Sequence, residues 1–235
     1  MRILVGIPCL YHHDLCKRAI DSVYGKPNVD ILLVDNGAEK TVSELIQSYD
    51  CLKIINEQNI FVNPAWNPII ATFLSGGWDY LAIMNSDLIL QSQWSEVCFN
   101  RWNVSPDEIL IPQMLDAVPR KVYTNFQPSE LVTEGTAGVF ITLNRKQAEI
   151  IYPIPEEIKV WFGDNWIYSI LRALGYVTVI PPNLFSYHAW SSTVSKVPGI
   201  SEIIESDKVA WAEVVEPRMI ERITKFKTDA ENGIA

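Results

Sequence analysis

The sequence predicts an α/β protein built on a mostly parallel central sheet. Three observations lead there. Apolar runs of strand length recur at residues 3–7, 30–34, 52–56 and 79–84, each bounded by Gly, Pro, Asn or Asp. Segments with apolar residues at helical spacing separate them. The alternation of strand and helix is unbroken across this half, which is the pattern of a parallel sheet with helices on both faces.

The first strand, residues 3–7, is expected to stop at Pro8, with a loop over 8–13. Asp14 can cap a helix running to about residue 24, with Leu15, Ala19, Ile20 and Val23 on one face. Gly25-Lys26-Pro27-Asn28 closes it. The second strand ends in the turn sequence Asp35-Asn36-Gly37. A short helix to residue 48 and a third strand, 52–56, follow. Asn63-Pro64 reads as a helix start, a capping side chain followed by a proline in the first turn, and Gly76-Gly77 as its end. The fourth strand runs to Met84. Beyond it the spacing predicts a helix over 93–102, strands over 109–111, 122–126 and 138–143, and a short helix over 145–151. A helix from Asp164 to about residue 174 stops at Gly175, and a strand covers 176–180. A C-terminal helical extension covers 201–215, breaks near Pro217 and resumes to residue 226; residues 228–235 are expected to fray.

The 235 residues suit a single domain, and with 48% hydrophobic and 20% charged residues the chain can bury a full core. The formal net charge is −9. No dense Lys/Arg cluster stands out, so a nucleic acid is not the favoured partner, although an anionic ligand can still be held through a metal. Cys9, Cys16, Cys51 and Cys98 form no CxxC pair and lie in core-like stretches. Reduced, mostly buried thiols in a cytoplasmic protein are expected. The N-terminus opens directly into a strand, with no signal-peptide pattern. No run approaches the ~18 apolar residues of a membrane span, so any work at a membrane would be peripheral.

The most informative feature is Asn85-Ser86-Asp87, between the apolar runs 80–84 and 88–90. A carboxylate at the end of a buried strand can hold Mg²⁺ or Mn²⁺ at the mouth of a sheet. Ligands of open α/β sheets collect there. Three such loops should converge, offering Pro8, Tyr11 and His12 from the first, Asp35 and Asn36 from the second, and Asn85 and Asp87 from the third. Together they could hold a base, a ribose and a metal beside phosphates. Taken alone, Asp35-Asn36-Gly37 is a plain turn. No Gly-x-Gly-x-x-Gly and no P-loop pattern follows the first strand, so neither a dinucleotide site nor a glycine phosphate cradle is supported. Asp164 is either an N-cap or a general base. His188 is either structural or a metal ligand. Trp161, Trp166 and Trp190 either offer aromatic faces to a sugar or base ring or pack in the core.

The order of these segments resembles the family 2 glycosyltransferases, which have the GT-A fold. Residues 3–11 resemble the family's opening strand-Pro-x-Tyr segment. Leu33-Val34-Asp35-Asn36-Gly37-Ala38 resembles its nucleotide-binding turn. Residues 59–67, from Asn59 to Asn67, resemble the segment that packs under the donor. Asn85-Ser86-Asp87 falls where the Asp-x-Asp motif falls, and Phe162-Gly163-Asp164 where a Glu-Asp acceptor motif falls. His188, with Ser191 and Ser192, resembles a late segment that supplies a metal ligand. The chain departs from the pattern at Asn85, at Ile60 where glycine is usual, and at Gly163 in place of the glutamate.

The resemblance implies a GT-A-like sandwich. Residues 1–90 would bind the nucleotide sugar, 91–200 the acceptor, and 201–235 would form C-terminal helices and a tail. It implies a metal-dependent, inverting transfer of a sugar to an acceptor hydroxyl on a glycan or another molecule. Asp87 and His188 would bind Mn²⁺ or Mg²⁺, Asp164 would be the base, and Pro8, Tyr11, Asp35, Asn36, Asn67, Asn85 and Ser86 would contact the donor. Two other classes remain at this level: a nucleotidyltransferase of similar plan, which would release pyrophosphate, and a noncatalytic carbohydrate- or partner-binding module.

Overall fold

A computed structural model of the chain describes residues 1–116, 131–132, 138–189 and 193–233. The strand expected over 122–126 lies outside the described residues, as do Trp190, Ser191 and Ser192. The elements run β1 (Ile3–Cys9), α1 (His13–Val23), β2 (Val29–Asn36), α2 (Lys40–Ser48), β3 (Leu52–Asn56), α3 (Val62–Ser75), β4 (Tyr80–Met84), β5 (Leu88–Leu90) and α4 (Trp94–Trp102). They continue with β6 (Ile109–Leu110), β7 (Gln113–Asp116), β8 (Leu131–Val132), β9 (Phe140–Asn144), α5 (Arg145–Ile151), α6 (Gly163–Ala173), β10 (Thr178–Ile180) and β11 (Phe185–His188). The chain ends in α7 (Ile200–Ala210), a π-helical turn (Trp211–Val215) and α8 (Glu216–Glu231).

The central sheet has the order β3-β2-β1-β4-β9. Its first four strands are parallel and β9 is antiparallel to β4. The order reverses direction between β1 and β4, which makes a crevice at the carboxyl ends of those strands. Strand alternation divides the core in two. Ile3, Val5 and Ile7 face the layer of α1, α2 and α4, with Ile20, Ile46, Trp94 and Trp102. Leu4, Leu32 and Val34 face the layer of α3, α5, α6 and α8, with Trp66, Ile69, Phe73, Trp166 and Ile170. A glycine sits at position 6 because α3 lies so close that a Cβ there would meet Ile69 Cγ2 at 2.2 Å.

Several boundaries differ from expectation for physical reasons. β1 continues through Pro8 to Cys9. β4 leaves it after the Gly6–Ile83 pair, so Pro8 lies where only β2 pairs and a missing donor is tolerated. The break expected near Pro217 is instead the π-turn at Trp211–Val215; Pro217 fits the first turn of α8, where its absent N–H has no intrahelical partner to lose. The helix therefore runs on to Glu231 rather than stopping at 226. Asp14, Asn63 and Asp164 are not the N-caps: those positions belong to His12, Phe61 and Phe162, and none makes a side-chain capping bond.

Two three-stranded sheets flank the main one, ordered β6-β10-β8 and β5-β11-β7. The first is tied to β9 by Thr142, which is fully buried. Its hydroxyl accepts from Leu110 N at 2.7 Å and donates to Leu110 O at 3.0 Å. Thr142→Val keeps the shape and strands both backbone groups, so it should lower stability by about 1–3 kcal/mol. An unchanged urea midpoint would show that these groups find other partners.

Candidate active site

The register of the small sheets and the ends of the central strands build one cavity of about 250 Å³. Pro8 comes to it from β1, Asn36 from β2, and Asn85 and Asp87 from the connection between β4 and β5. β11 runs antiparallel to β5 with His188 opposite Leu88, which brings the histidine beside Asp87. Their Nε2 and Oδ1 atoms are 3.1 Å apart, and both residues are buried. The start of α6 contributes Asp164 and the preceding loop Trp161. Asn85, Asp87, Trp161, Asp164 and His188, far apart in sequence, therefore line one cavity.

Asp164 is held from two sides. Gly138 N donates to its Oδ2 at 3.0 Å and Asn165 N to its Oδ1 at 2.9 Å. Burial pushes its carboxyl above the usual range, and these backbone donors only partly oppose the shift. The side chain lies in the first turn of α6, where the helix dipole also favours a negative charge. A carboxylate with two donors keeps lone pairs for a third.

The structure separates the remaining expected residues. Trp161 lines the cavity and is 48% exposed, a platform open to a ring. Trp166 is corrected to the core: it is fully buried and its indole nitrogen donates to Ile151 O at 2.8 Å. Asn67 does not line the cavity; its amide clamps Ile154, donating to the carbonyl at 3.0 Å and accepting from the N–H at 2.8 Å. Asp35 does not line it either, and its Oδ1 accepts from Ala38 N at 2.9 Å, as the plain turn requires. Asn36 lines the cavity with its amide engaged. It donates to Asn59 Oδ1 and Phe61 O and accepts from Asn56 Nδ2 and Ile60 N, closing the 59–61 loop. Ser86 is buried and does not line the cavity, and Tyr11 does not line it either; its ring lies under the Lys196 ammonium, 5.9 Å from the ring centre.

Val160, Val194 and Val197, all cavity-lining, give no signal in the sequence. Isolated apolar residues in loops carry no periodic signal, and only the chain path shows where they point. Among the described residues five non-glycines have positive φ; Asn28 and Asn183 lie outside the lining, Phe61 lines the cavity, and three of the five stand at helix starts. His12, Phe61 and Phe162, at the starts of α1, α3 and α6, all have φ between 65° and 68°. Non-glycine residues rarely adopt that conformation, and where they do the surroundings must hold them there, most often at functional sites.

Among the described residues no three His, Cys, Asp or Glu side chains gather as a metal cage. A Mg²⁺- or Mn²⁺-type ion needs less, because it commonly takes one or two protein ligands and fills its shell with phosphate oxygens and water. Cis ligands at 2.0–2.1 Å from an octahedral ion are roughly 3 Å apart. The 3.1 Å between Asp87 and His188 fits that edge.

No family model and no curated protein matches the chain. Solved structures do. A structure of S. aureus TarS 1-349 in complex with UDP aligns over 97% of this chain and 71% of its own length, at TM-score 0.65 and 12% identity. The same protein with UDP-GlcNAc aligns over 96% and 71%, at TM-score 0.64 and 12% identity. GalNAc-T7 with UDP, GalNAc and Mn²⁺ aligns over 90% of this chain, at TM-score 0.63 and 13% identity. The fold is GT-A-like. The chain spans about half (49%) of the GalNAc-T7 structure. At these identities the likeness carries the fold and does not single out family 2.

The departure at Gly163 has a local cause. A Cβ there would lie 2.3 Å from Asn63 Oδ1 and 2.8 Å from Trp66 Cζ3. Asn63 cannot easily give way, because it is buried and donates to Trp161 O at 2.8 Å. Gly163→Ala should therefore cost about 1–3 kcal/mol through overpacking. Thermal unfolding of the variant checks this, and an unchanged midpoint would mean that Asn63 moves freely.

Proposed function

We propose that this protein is a metal-dependent, inverting glycosyltransferase that moves a sugar from a nucleotide-sugar donor to an acceptor hydroxyl, in the manner of family 2. The observation that carries the reading is that the Asp87–His188 pair and the Asp164 carboxylate face one cavity at the switch point of a GT-A-like sheet. The alignment with the structures in complex with UDP, UDP-GlcNAc, or UDP, GalNAc and Mn²⁺ supports it. Among the described residues no helix is long and apolar enough to cross a membrane. All four cysteines are free thiols, three of them buried, in keeping with a cytoplasmic setting.

In this reading Pro8, Asn36 and Asn85 form the donor wall, and Trp161 offers its face to the acceptor. Asp87 and His188 would hold Mn²⁺ or Mg²⁺, which when bound supplies positive charge against the departing diphosphate. Asp164 accepts the proton of the acceptor hydroxyl on the lone pairs left by Gly138 and Asn165. That oxygen bonds to the anomeric carbon while the bond from that carbon to the diphosphate oxygen breaks. Attack from the face opposite the leaving group inverts the configuration. Burial raises the basicity of Asp164, which suits it to taking a proton. The direct test is to incubate the protein with a panel of nucleotide sugars and Mn²⁺. Nucleoside diphosphate should be released, and a bound donor should raise the melting temperature by mass action. Release of pyrophosphate would assign the other reaction class.

Asp164→Asn keeps the shape and one acceptor oxygen. Donor affinity should survive while turnover falls by roughly 10²–10⁴-fold. Near-wild-type turnover would remove Asp164 as base. The wild-type rate should drop as pH falls through the Asp164 pKa, a limb lying above the ordinary carboxyl value of 3.8. The sign for stability is opposite to that of a salt-bridged acid. The raised pKa favours the protonated folded form, so this contribution is present below the unfolded pKa and is lost as pH rises through the folded one. Asp164→Asn should flatten both trends.

Asp87→Ala should abolish Mn²⁺-dependent nucleoside diphosphate binding and leave the fold intact. A calorimetric titration with an unchanged metal requirement would overturn the metal assignment.

A further inference from the structure

α7 docks on the protein in an unusual way. Its one fully buried side chain is not apolar; it is Asp207. The carboxylate accepts three backbone N–H groups in a row: Lys159 N to Oδ1 at 2.9 Å, Val160 N to Oδ2 at 2.7 Å and Trp161 N to Oδ2 at 2.8 Å. An ionised carboxylate is acceptor-only, so these donors satisfy it without a cation. The clamped residues lead straight into the cavity wall. Val160 and Trp161 line it, Phe162 carries the left-handed backbone that starts α6, and Asp164 follows in the first turn.

The opposite side of this loop is held as well. Asn63 N donates to Lys159 O at 3.0 Å, and Asn63 Nδ2 donates to Trp161 O. Phe162 stacks on Trp211 of the π-turn with ring centres 5.0 Å apart. A left-handed phenylalanine persists only when its neighbours over-determine it. Here the neighbours on one side are α3, and on the other the C-terminal helices through Asp207 and Trp211. Helix docking alone would need no run of three charge-assisted bonds aimed at one loop.

We propose that Asp207 is a positioning residue of the active site: from α7 it fixes the backbone of residues 159–161, and through it the placement of Trp161 and Asp164. The C-terminal helices thus form part of the acceptor side. The proposal rests on the glycosyltransferase reading for its effect on rate, but the clamp itself is testable without any substrate.

Two measurements separate the two claims. In the wild-type protein, amide hydrogen exchange at 159–161 should be as slow as in the central strands. In Asp207→Ala it should quicken by roughly ten- to a hundredfold at those amides, with β1 and β2 unchanged. Rapid exchange in the wild type, or no local change in the variant, overturns the clamp. With a donor and acceptor that the wild type turns over, Asp207→Ala should lower kcat by roughly ten- to a hundredfold, because small misplacements of reacting groups are costly. Donor KM should stay within about twofold. Asp207→Asn, which keeps an oxygen for Val160 and Trp161 and is the milder variant for folding, should recover part of kcat. Unchanged kcat, or a rise in donor KM with kcat intact, overturns the positioning role. A wild type that consumes no nucleotide sugar defeats the functional reading, while the exchange measurement still decides the clamp.

Discussion

Everything at the site depends on the pairing of β1 with β2 on one side and β4 on the other. Both pairings are parallel, so all three strands end at the same edge. α1 and α2 leave from that edge after β1 and β2, and the order reverses between β1 and β4, so the crevice there cannot be filled by a connection. Polar residues at strand ends face that opening because the strand interiors are fully apolar and covered by helices on both faces. Asp87 and Asn85 stand at the edge for this reason. A shift of one residue in the β11–β5 register would turn His188 to the other face of its sheet, away from Asp87.

The second constraint is how irregular backbone is held beside that crevice. The 59–61 and 159–162 loops both end on phenylalanines in the left-handed region. Each is fastened by polar side chains that satisfy backbone groups: buried Asn36 and half-buried Asn59 for the first, buried Asn63 and Asp207 for the second. Unmet backbone groups in such loops would be costly, so the buried amides and the carboxylate are the loops' counterpart of a hydrogen-bonded ladder. Packing then dictates residue identity nearby. Gly163 is small because Asn63 already fills the space in front of it.

Much of this was legible in the residues. The β1-to-β4 half came through because its apolar runs are long and its turn residues unambiguous. The Asn85-Ser86-Asp87 segment stood out because polar residues interrupt two buried strands. The late helix of residues 145–151 matched to the residue, helped by Asn144 and Gln147, which form a reciprocal capping box. The misses share a cause. Asp14, Asn63 and Asp164 are good capping residues, yet each lies inside its helix because the chain enters through a left-handed residue that carries no compositional mark. The short strands β7 and β11 are too brief for periodicity to distinguish.

By itself the sequence determined the α/β class, the parallel sheet and the candidate carboxylates, because these follow from local spacing of apolar and polar residues. Only the tertiary structure decided which candidates meet. It brought Asp87 to His188 through strand register, turned Trp166 into the core and Asn67 to a backbone clamp, and left Trp161 facing the opening. It also set Asp207, an unremarkable acid in a polar helix, into a fully buried position under three backbone donors. That residue's importance depends on partners 46 to 48 positions away in sequence. Local patterns hold no record of contacts at such distance; they form only when the sheet fixes where each loop must lie.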